Sequence, residues 1–302
     1  MKQVIFYFDN EWAFGSIHYE LCKYLFAKGI NGRVLPWDKP YSNAEMQELE
    51  TAIDVFVTNP QGYKTLVRSF SINPTKIIVI AHAVVDLHDL ISNFGVEEFQ
   101  KPKKFAVVSE FLKQQVSQMG IIRQPELLPM GINVSTYTSN ISNDLKTVGF
   151  AGAFSRVDTH LGLDLKRGFL VEQCTQLAGL ELSIAQPYHN SFVTMAGFYP
   201  SVDCVIIAST EEGAGLPALE AGAAGKLVIS TPVGHWEERC GEIGGHTVPF
   251  EENKFIQETT KLLEFYKSNP KTYRQKCREI QKHAKTYDWK YVINKWVETM
   301  SS

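Results

Sequence analysis

The sequence predicts an α/β protein built from two Rossmann-like, doubly wound halves with parallel sheets. Short apolar runs alternate with helical stretches over most of the chain, the pattern of parallel strands joined by crossover helices. A Ser-, Thr- and Asn-rich stretch from Val134 to Leu145 breaks the alternation near the middle and reads as a linker. The alternation resumes at Val148, and from Glu252 onward the chain reads as helical, with only Pro270 as a break. A single β/α barrel is the runner-up, but a chain divided at its middle fits two halves better.

In the first half, apolar runs at Val4–Phe8, Val55–Thr58, Ile77–Ala81 and Phe105–Ser109 suit strands buried on both faces. Between and beside them, Gly15–Ala27, Asn43–Ala52, Gln61–Phe70 and Glu110–Met119 read as helices, and Gly32–Trp37 and Leu127–Met130 as further strands. In the first helix Ile17, Leu21, Tyr24 and Leu25 share one face. The second half repeats the scheme, with strands at Val148, Glu181–Ala185, Val202–Ala208, Leu227–Ser230 and Thr247–Phe250. Its helices span Arg167–Ala178, a segment near Ser191–Phe198, and Ala218–Ala224, and Asp288 caps a final one. The expected domains are 1–138, joined by the closing helix 288–302, and 145–287.

Composition narrows the function classes. With 302 residues, 44% hydrophobic and 21% charged, the chain can bury a sizeable core. A net charge of −3 supplies no overall field toward nucleic acid or acidic lipid. Asp9 and Glu11 directly follow the first apolar run, so it reads as a strand and not a signal peptide. No window approaches a membrane-spanning length; the expectation is a cytoplasmic protein without stable membrane insertion. The five cysteines are scattered without a C-x-x-C pair, so neither a disulfide framework nor a metal site is expected.

The stretch that speaks about chemistry is Ser209 to Gly225, STEEGAGLPALEAGAAG. It reads as strand, glycine turn and helix, with Pro217 suited to the first helical turn and Gly225 to its end. Such a turn offers the backbone N–H groups of Gly213, Ala214, Gly215 and Leu216 beside the positive end of a helix dipole, where a phosphate can sit. Glu212 in the turn and Glu220 eight positions later flank that cradle.

The string from Glu212 through Gly-Ala-Gly-Leu-Pro to Glu220-Ala, then Ala224-Gly225-Lys226 and Gly234, resembles the donor-binding signature of glycosyltransferase family 4. These are retaining enzymes, of the glycosyl transferases group 1 type, with the GT-B fold. That resemblance implies two Rossmann-like domains facing a cleft, the acceptor on the N-terminal one and the sugar nucleotide on the C-terminal one. Leu128-Pro-Met-Gly131-Ile-Asn133 is similar to the family's stretch at the end of the acceptor domain, with Met130 in the place of an Asn.

By the same resemblance Glu220 binds ribose hydroxyls, Glu212 meets the transferred sugar, and the backbone from Ala214 to Leu216 holds sugar or phosphate. The family's two diphosphate cations map less cleanly. Ala153 stands where an Arg is usual, with Arg156 the nearest, and Arg167 fills the usual Lys place with Lys166 as a rival. Gly15 falls in the first strand-to-helix loop, where the family lets the diphosphate approach. His82, at the end of the Ile77–Ala81 run, matches a His the family sets near the reacting carbon. The basic run Lys101, Lys103 and Lys104 reads as a solvated face.

The implied activity is transfer of a sugar from a UDP- or GDP-linked donor to an acceptor hydroxyl, without a metal or other cofactor. Acceptor glycans, lipid-linked sugars, small molecules and modified DNA bases all remain open. The alternatives are a sugar-nucleotide-binding protein without turnover, motivated by Ala153, and a phosphorylase or epimerase on the same fold.

Overall fold

The computed structural model describes residues 1–8, 13–157, 162–185 and 192–302. The chain forms two compact units, one of Met1–Gly131 with Trp289–Ser302, the other of Ile132–Asp288. Each is a wholly parallel sheet with helical crossovers, and together they make the two α/β domains of a GT-B fold.

In the first unit the strands are β1 (Lys2–Phe8), β2 (Ile30–Pro36), β3 (Val55–Thr58), β4 (Ile77–Ala81), β5 (Lys104–Val107) and β6 (Glu126–Leu127). Their order is β2-β1-β3-β4-β5-β6. Every residue of β3 and β4 is buried, as a parallel sheet covered on both faces requires. The last helix, Trp289–Ser301, belongs to this unit: Trp296 Nε1 donates to the Pro129 carbonyl at 2.9 Å.

The second unit holds β7 (Thr147–Ala151), β8 (Glu181–Ala185), β9 (Cys204–Ile207), β10 (Leu227–Ser230) and β11 (His246–Thr247), in the order β11-β10-β9-β7-β8. The chain runs from β7 outward to β8 and then returns to place β9 on the other side of β7. The loops leaving β7 and β9 therefore lie at the carboxyl ends of neighbouring strands where the strand order reverses, the position at which open α/β sheets bind ligands.

Three local readings are corrected. Helix Val84–Phe94 escaped the sequence analysis because it starts after Ala83, with no side-chain cap; Asp86 instead reaches back to accept from the His82 and Ala83 N–H groups at 3.0 and 3.1 Å. The first helix begins at Ala13, so Gly15 lies in its opening turn and not in the preceding loop. The linker stretch is not wholly irregular: Val134–Tyr137 forms one helical turn, and Tyr137 is buried. Among the described residues no helix is long and apolar enough to cross a membrane.

Candidate active site

The second unit gathers most of the sequence-predicted residues on the loops leaving β7 and β9. The loop after β9 runs from Ala208 to Gly215 and delivers helix Leu216–Ala223. Gly215 closes it in the left-handed region at φ 67°, which its missing Cβ permits. Gly234, from the loop after β10, packs against this turn so tightly that a Cβ there would meet the Ala214 carbonyl at 2.7 Å. His235 N–H donates to the same carbonyl at 3.0 Å. Among the described residues the N–H groups of Ala214, Gly215 and Leu216 donate to no protein acceptor. They are donors orphaned at a helix start, and they are three of the four N–H groups that the sequence analysis assigns to a phosphate cradle, Gly213 being the fourth.

Glu212 sits at the rim of this cradle. Its Oε1 accepts from Ser209 Oγ at 2.7 Å and from the Lys166 ammonium. The Glu212 and Lys166 side chains are 16% and 19% exposed, so a bound ligand can reach both groups of the ion pair. Ser209 is itself fixed by Thr231 Oγ1, which donates to its carbonyl at 2.6 Å. Lys166 is delivered by the loop after β7. That loop is pinned to β9 where Thr210 N–H donates to Leu165 O at 3.0 Å. Asp164 Oδ1 accepts the Arg156 and Lys166 N–H groups at 2.9 and 3.0 Å. Partial burial pushes the Asp164 carboxyl up, but the N–H groups of Arg156, Lys166 and Arg167 outweigh it and hold it below its ordinary value.

Arg167 is placed differently from the expectation. It is only 5% exposed, and its Nε and Nη1 donate to the Ala208 and Phe250 carbonyls, each at 2.6 Å. Its guanidinium lies 5.7 Å from the Phe255 ring centroid. It also holds a left-handed backbone, φ 48°, at the start of helix Gly168–Leu177, a strain of about 1–3 kcal/mol that the two anchored ends sustain. Arg167 ties β9 to the following elements, and Lys166 is the cation at the rim; only Nη2 of Arg167, buried without a partner among the described residues, keeps donor capacity. Arg156 is exposed and joins the loop through its backbone.

Glu220, to which the resemblance gives the ribose hydroxyls, is buried in the second unit. It is 6% exposed. Oε1 accepts from Tyr137 Oη at 2.9 Å and Oε2 from Tyr199 Oη at 2.5 Å. Burial pushes its carboxyl up, against the two hydroxyls, which pull it down. Sequence reasoning missed both tyrosines: Tyr137 lay in the stretch read as a linker, and no spacing connects Tyr199 to Glu220. Ser209 and Thr231 were equally silent, being small polar residues just where apolar runs end.

In the first unit His82 follows β4 directly. It is 6% exposed, and burial lowers its imidazole to about 3, so it stays neutral at physiological pH. Its Nδ1 lies 3.1 Å from the Ile80 carbonyl, which only accepts, so Nδ1 carries the hydrogen. His18, which the sequence analysis passed over, stacks on Phe8 at 3.9 Å and meets the His82 ring edge-on at 5.8 Å. The loop 9–12 after β1 lies outside the described residues. Of the basic run, Lys101 pairs with Glu98 at 2.8 Å and Lys104 with Glu126 at 3.0 Å.

The family comparison falls on the second unit, and the structural comparisons span the whole chain. The family model described as "Glycosyl transferases group 1" matches residues 174–264, a span holding Glu212, the glycine turn, Glu220 and Gly234. It excludes Lys166 and Arg167, which therefore rest on the geometry alone. No curated protein sequence is similar enough to match the chain. Among solved structures, the catalytic domain of starch synthase IV from Arabidopsis thaliana, bound to ADP and acarbose, is 10% identical with a TM-score of 0.73 over 99% of both chains. HepE from Anabaena, in complex with UDP and glucose, is 13% identical with a TM-score of 0.70 over the whole of both chains. Sucrose-phosphate synthase from Thermosynechococcus elongatus is 13% identical with a TM-score of 0.69, over 99% of this chain and 98% of that one. The chain thus has the GT-B fold, and residues 174–264 carry the sequence signature of glycosyl transferases group 1.

Proposed function

We propose that the protein is a retaining glycosyltransferase that moves a sugar from a nucleoside diphosphate to an acceptor hydroxyl, without a metal. The observation that carries this reading is the rim of the β9 turn: three unbonded backbone N–H groups beside the Lys166–Glu212 ion pair, at the switch point of the sheet. The N–H groups suit a phosphate or a sugar oxygen, Lys166 suits the negative charge that grows on a departing diphosphate, and Glu212 suits the hydroxyls of the transferred sugar. Two neighbours of the same fold are bound to ADP or UDP, which supports a nucleoside diphosphate as the ligand class.

In this mechanism the acceptor attacks on the face that the diphosphate leaves, and a phosphate oxygen takes its proton. The chain contributes position and charge, not a nucleophile. His82, neutral and buried, is assigned to the acceptor-side unit as a hydrogen-bonding group near the reacting carbon and not as a cation. The acceptor class stays open among glycans, lipid-linked sugars, small molecules and modified DNA bases.

A second reading, a sugar-nucleotide binder without turnover, is favoured by one observation. With Ala153 in the first basic position and Arg167 committed to backbone carbonyls, Lys166 is left as the principal cation for the diphosphate. Thermal-shift titration with UDP, ADP and GDP tests the shared premise; saturation at a hundred times Kd adds about 2.7 kcal/mol. Product formation from UDP- and GDP-sugars with an acceptor panel then separates enzyme from binder. Binding of none of the three nucleotides would overturn both.

A further inference from the structure

The pairing of Glu220 with two tyrosines goes beyond a helix carboxylate waiting for a ligand. An ionised carboxylate only accepts hydrogen bonds, and here each oxygen accepts one from a phenol. A ribose offers the same chemistry, two adjacent hydroxyl donors. The Tyr137 and Tyr199 hydroxyls therefore occupy Glu220 in the way that a ribose would.

The two phenols are not equivalent. Tyr199 is fully buried in the turn Tyr199–Ser201 that leads into β9, and its bond to Glu220 is the shorter, at 2.5 Å. Tyr137 ends the four-residue turn Val134–Tyr137, retains 3% exposure, and bonds at 2.9 Å. The segment around it is anchored independently: Val134 N–H donates to Asp288 at 3.3 Å, Ser139 Oγ to the Ala224 carbonyl at 2.8 Å, and Gln281 Nε2 to Ser139 O at 2.9 Å. The backbone is thus held without the Tyr137–Glu220 bond, and a change of the Tyr137 rotamer is enough to break that bond.

We infer that Tyr199 is a positioning residue that holds Glu220, while Tyr137 is a displaceable stand-in for a ribose hydroxyl, removed when a nucleoside diphosphate binds. This rests on the donor-site reading of the second unit and adds a selectivity device to it. Because the apoprotein already satisfies the carboxylate, a ligand gains from Glu220 only if it replaces the lost phenol. The freed Oε1 has two lone pairs, which a ribose fills with its hydroxyl pair, whereas a 2′-deoxyribose fills only one. Tyr137 thus raises the threshold for entry and Tyr199 fixes the geometry that reads the sugar.

The test measures Kd for UDP, ADP and GDP, and for their 2′-deoxy counterparts, in the wild type, Tyr137→Phe and Tyr199→Phe. Removing the competing hydroxyl in Tyr137→Phe tightens the ribonucleotide about threefold to tenfold and widens its margin over the deoxy form. Tyr199→Phe weakens the ribonucleotide about tenfold and narrows that margin. A ribo-to-deoxy ratio unchanged in both variants would mean that the tyrosines merely fill space, and would overturn the inference while leaving the donor site intact. If the wild type binds none of the nucleotides, the donor-site reading falls first and takes this inference with it. Should either variant fail to fold, 3-fluorotyrosine in the otherwise native chain gives a second readout: the Tyr137 ¹⁹F resonance moves on adding the bound nucleotide and stays fixed on adding inorganic diphosphate. A stationary resonance at nucleotide saturation would equally overturn it.

Discussion

Glu212 and Glu220 belong to one short motif, yet the fold gives them opposite surroundings. Glu212 stands on a turn, partly exposed, and shares one oxygen between Ser209 and the Lys166 ammonium. Glu220 stands on the helix that the turn opens, sealed beneath two phenols. The turn carboxylate can exchange partners cheaply because water screens the loss of an exposed pair. The helix carboxylate can exchange a partner only for an equivalent donor, since any vacancy beside a buried charge carries a desolvation cost. One motif thus contains a contact that adapts during a reaction and one that is set beforehand.

The sharpest way to break this contrast is to remove Glu212. Glu212→Ala should depress sugar transfer by about a hundredfold to a thousandfold, a contact made mainly in the transition state. Isothermal titration should show the bare nucleoside diphosphate binding within about threefold of normal. Equal losses in affinity and turnover would place Glu212 in ground-state binding instead. Lys166→Ala should follow closely, with turnover down about a hundredfold and urea denaturation unchanged. Its neighbour should behave in the opposite sense. Arg167→Ala leaves the Ala208 and Phe250 carbonyls without their donors, so it should lower unfolding stability by about 3 kcal/mol, read from the shift in urea midpoint. A stable Arg167→Ala variant with lost turnover would return Arg167 to the ligand.

A smaller effect sharpens the other half of the comparison. The Glu220 carboxyl is raised in the folded state, chiefly by burial, so between its unfolded and folded values the native protein binds more protons than the unfolded chain. By linkage this contribution to stability falls as pH rises through that window, beginning near the ordinary glutamate value and ending at the raised one. Tyr199, bonded to the carboxyl, keeps its proton throughout because burial and the neighbouring Glu220 carboxylate disfavour phenolate. Thermal melts from about pH 4 to 8 should therefore show Glu220→Gln gaining on the wild type as pH increases. A constant difference across the range would mean that Glu220 ionises as freely folded as unfolded. The smallest expected effect is in Glu211→Ala, which should leave transfer within about threefold of normal; a loss equal to that of Glu212→Ala would dissolve the distinction between adjacent carboxylates on the turn.

Much of the fold was legible because both units are parallel sheets, whose buried strands read as apolar runs such as Ile77–Ala81 and Leu227–Ser230. The glycine turn was legible because left-handed backbone and close approach restrict what residues 215 and 234 can be. Roles set by three-dimensional neighbours were not. Lys166 and Arg167 are adjacent in sequence and both basic, and the pattern cannot say which is turned into the unit. The left-handed backbone at Arg167 decides it, and a non-glycine residue in that region leaves no signature. Tyr137 was hidden for a related reason: in a polar stretch a lone aromatic looks like decoration until the carboxylate it meets, 83 positions away, is in view. Helix Val84–Phe94 escaped because its start is satisfied by a residue inside it.

The discontinuity of the first unit bears on how the protein is made. Its sheet emerges from the ribosome before the second unit, but the helix that covers the Pro129–Gly131 end, with Trp289 against Gly131 and Trp296 bonded to Pro129, is translated after it. The second unit, unbroken from Ile132 to Asp288, has all its residues available earlier. A nascent chain therefore holds a sheet without its closing helix for the whole time the second unit is being translated. That interval is when the chain most needs a chaperone, and a stop codon just before Trp289 would make it permanent.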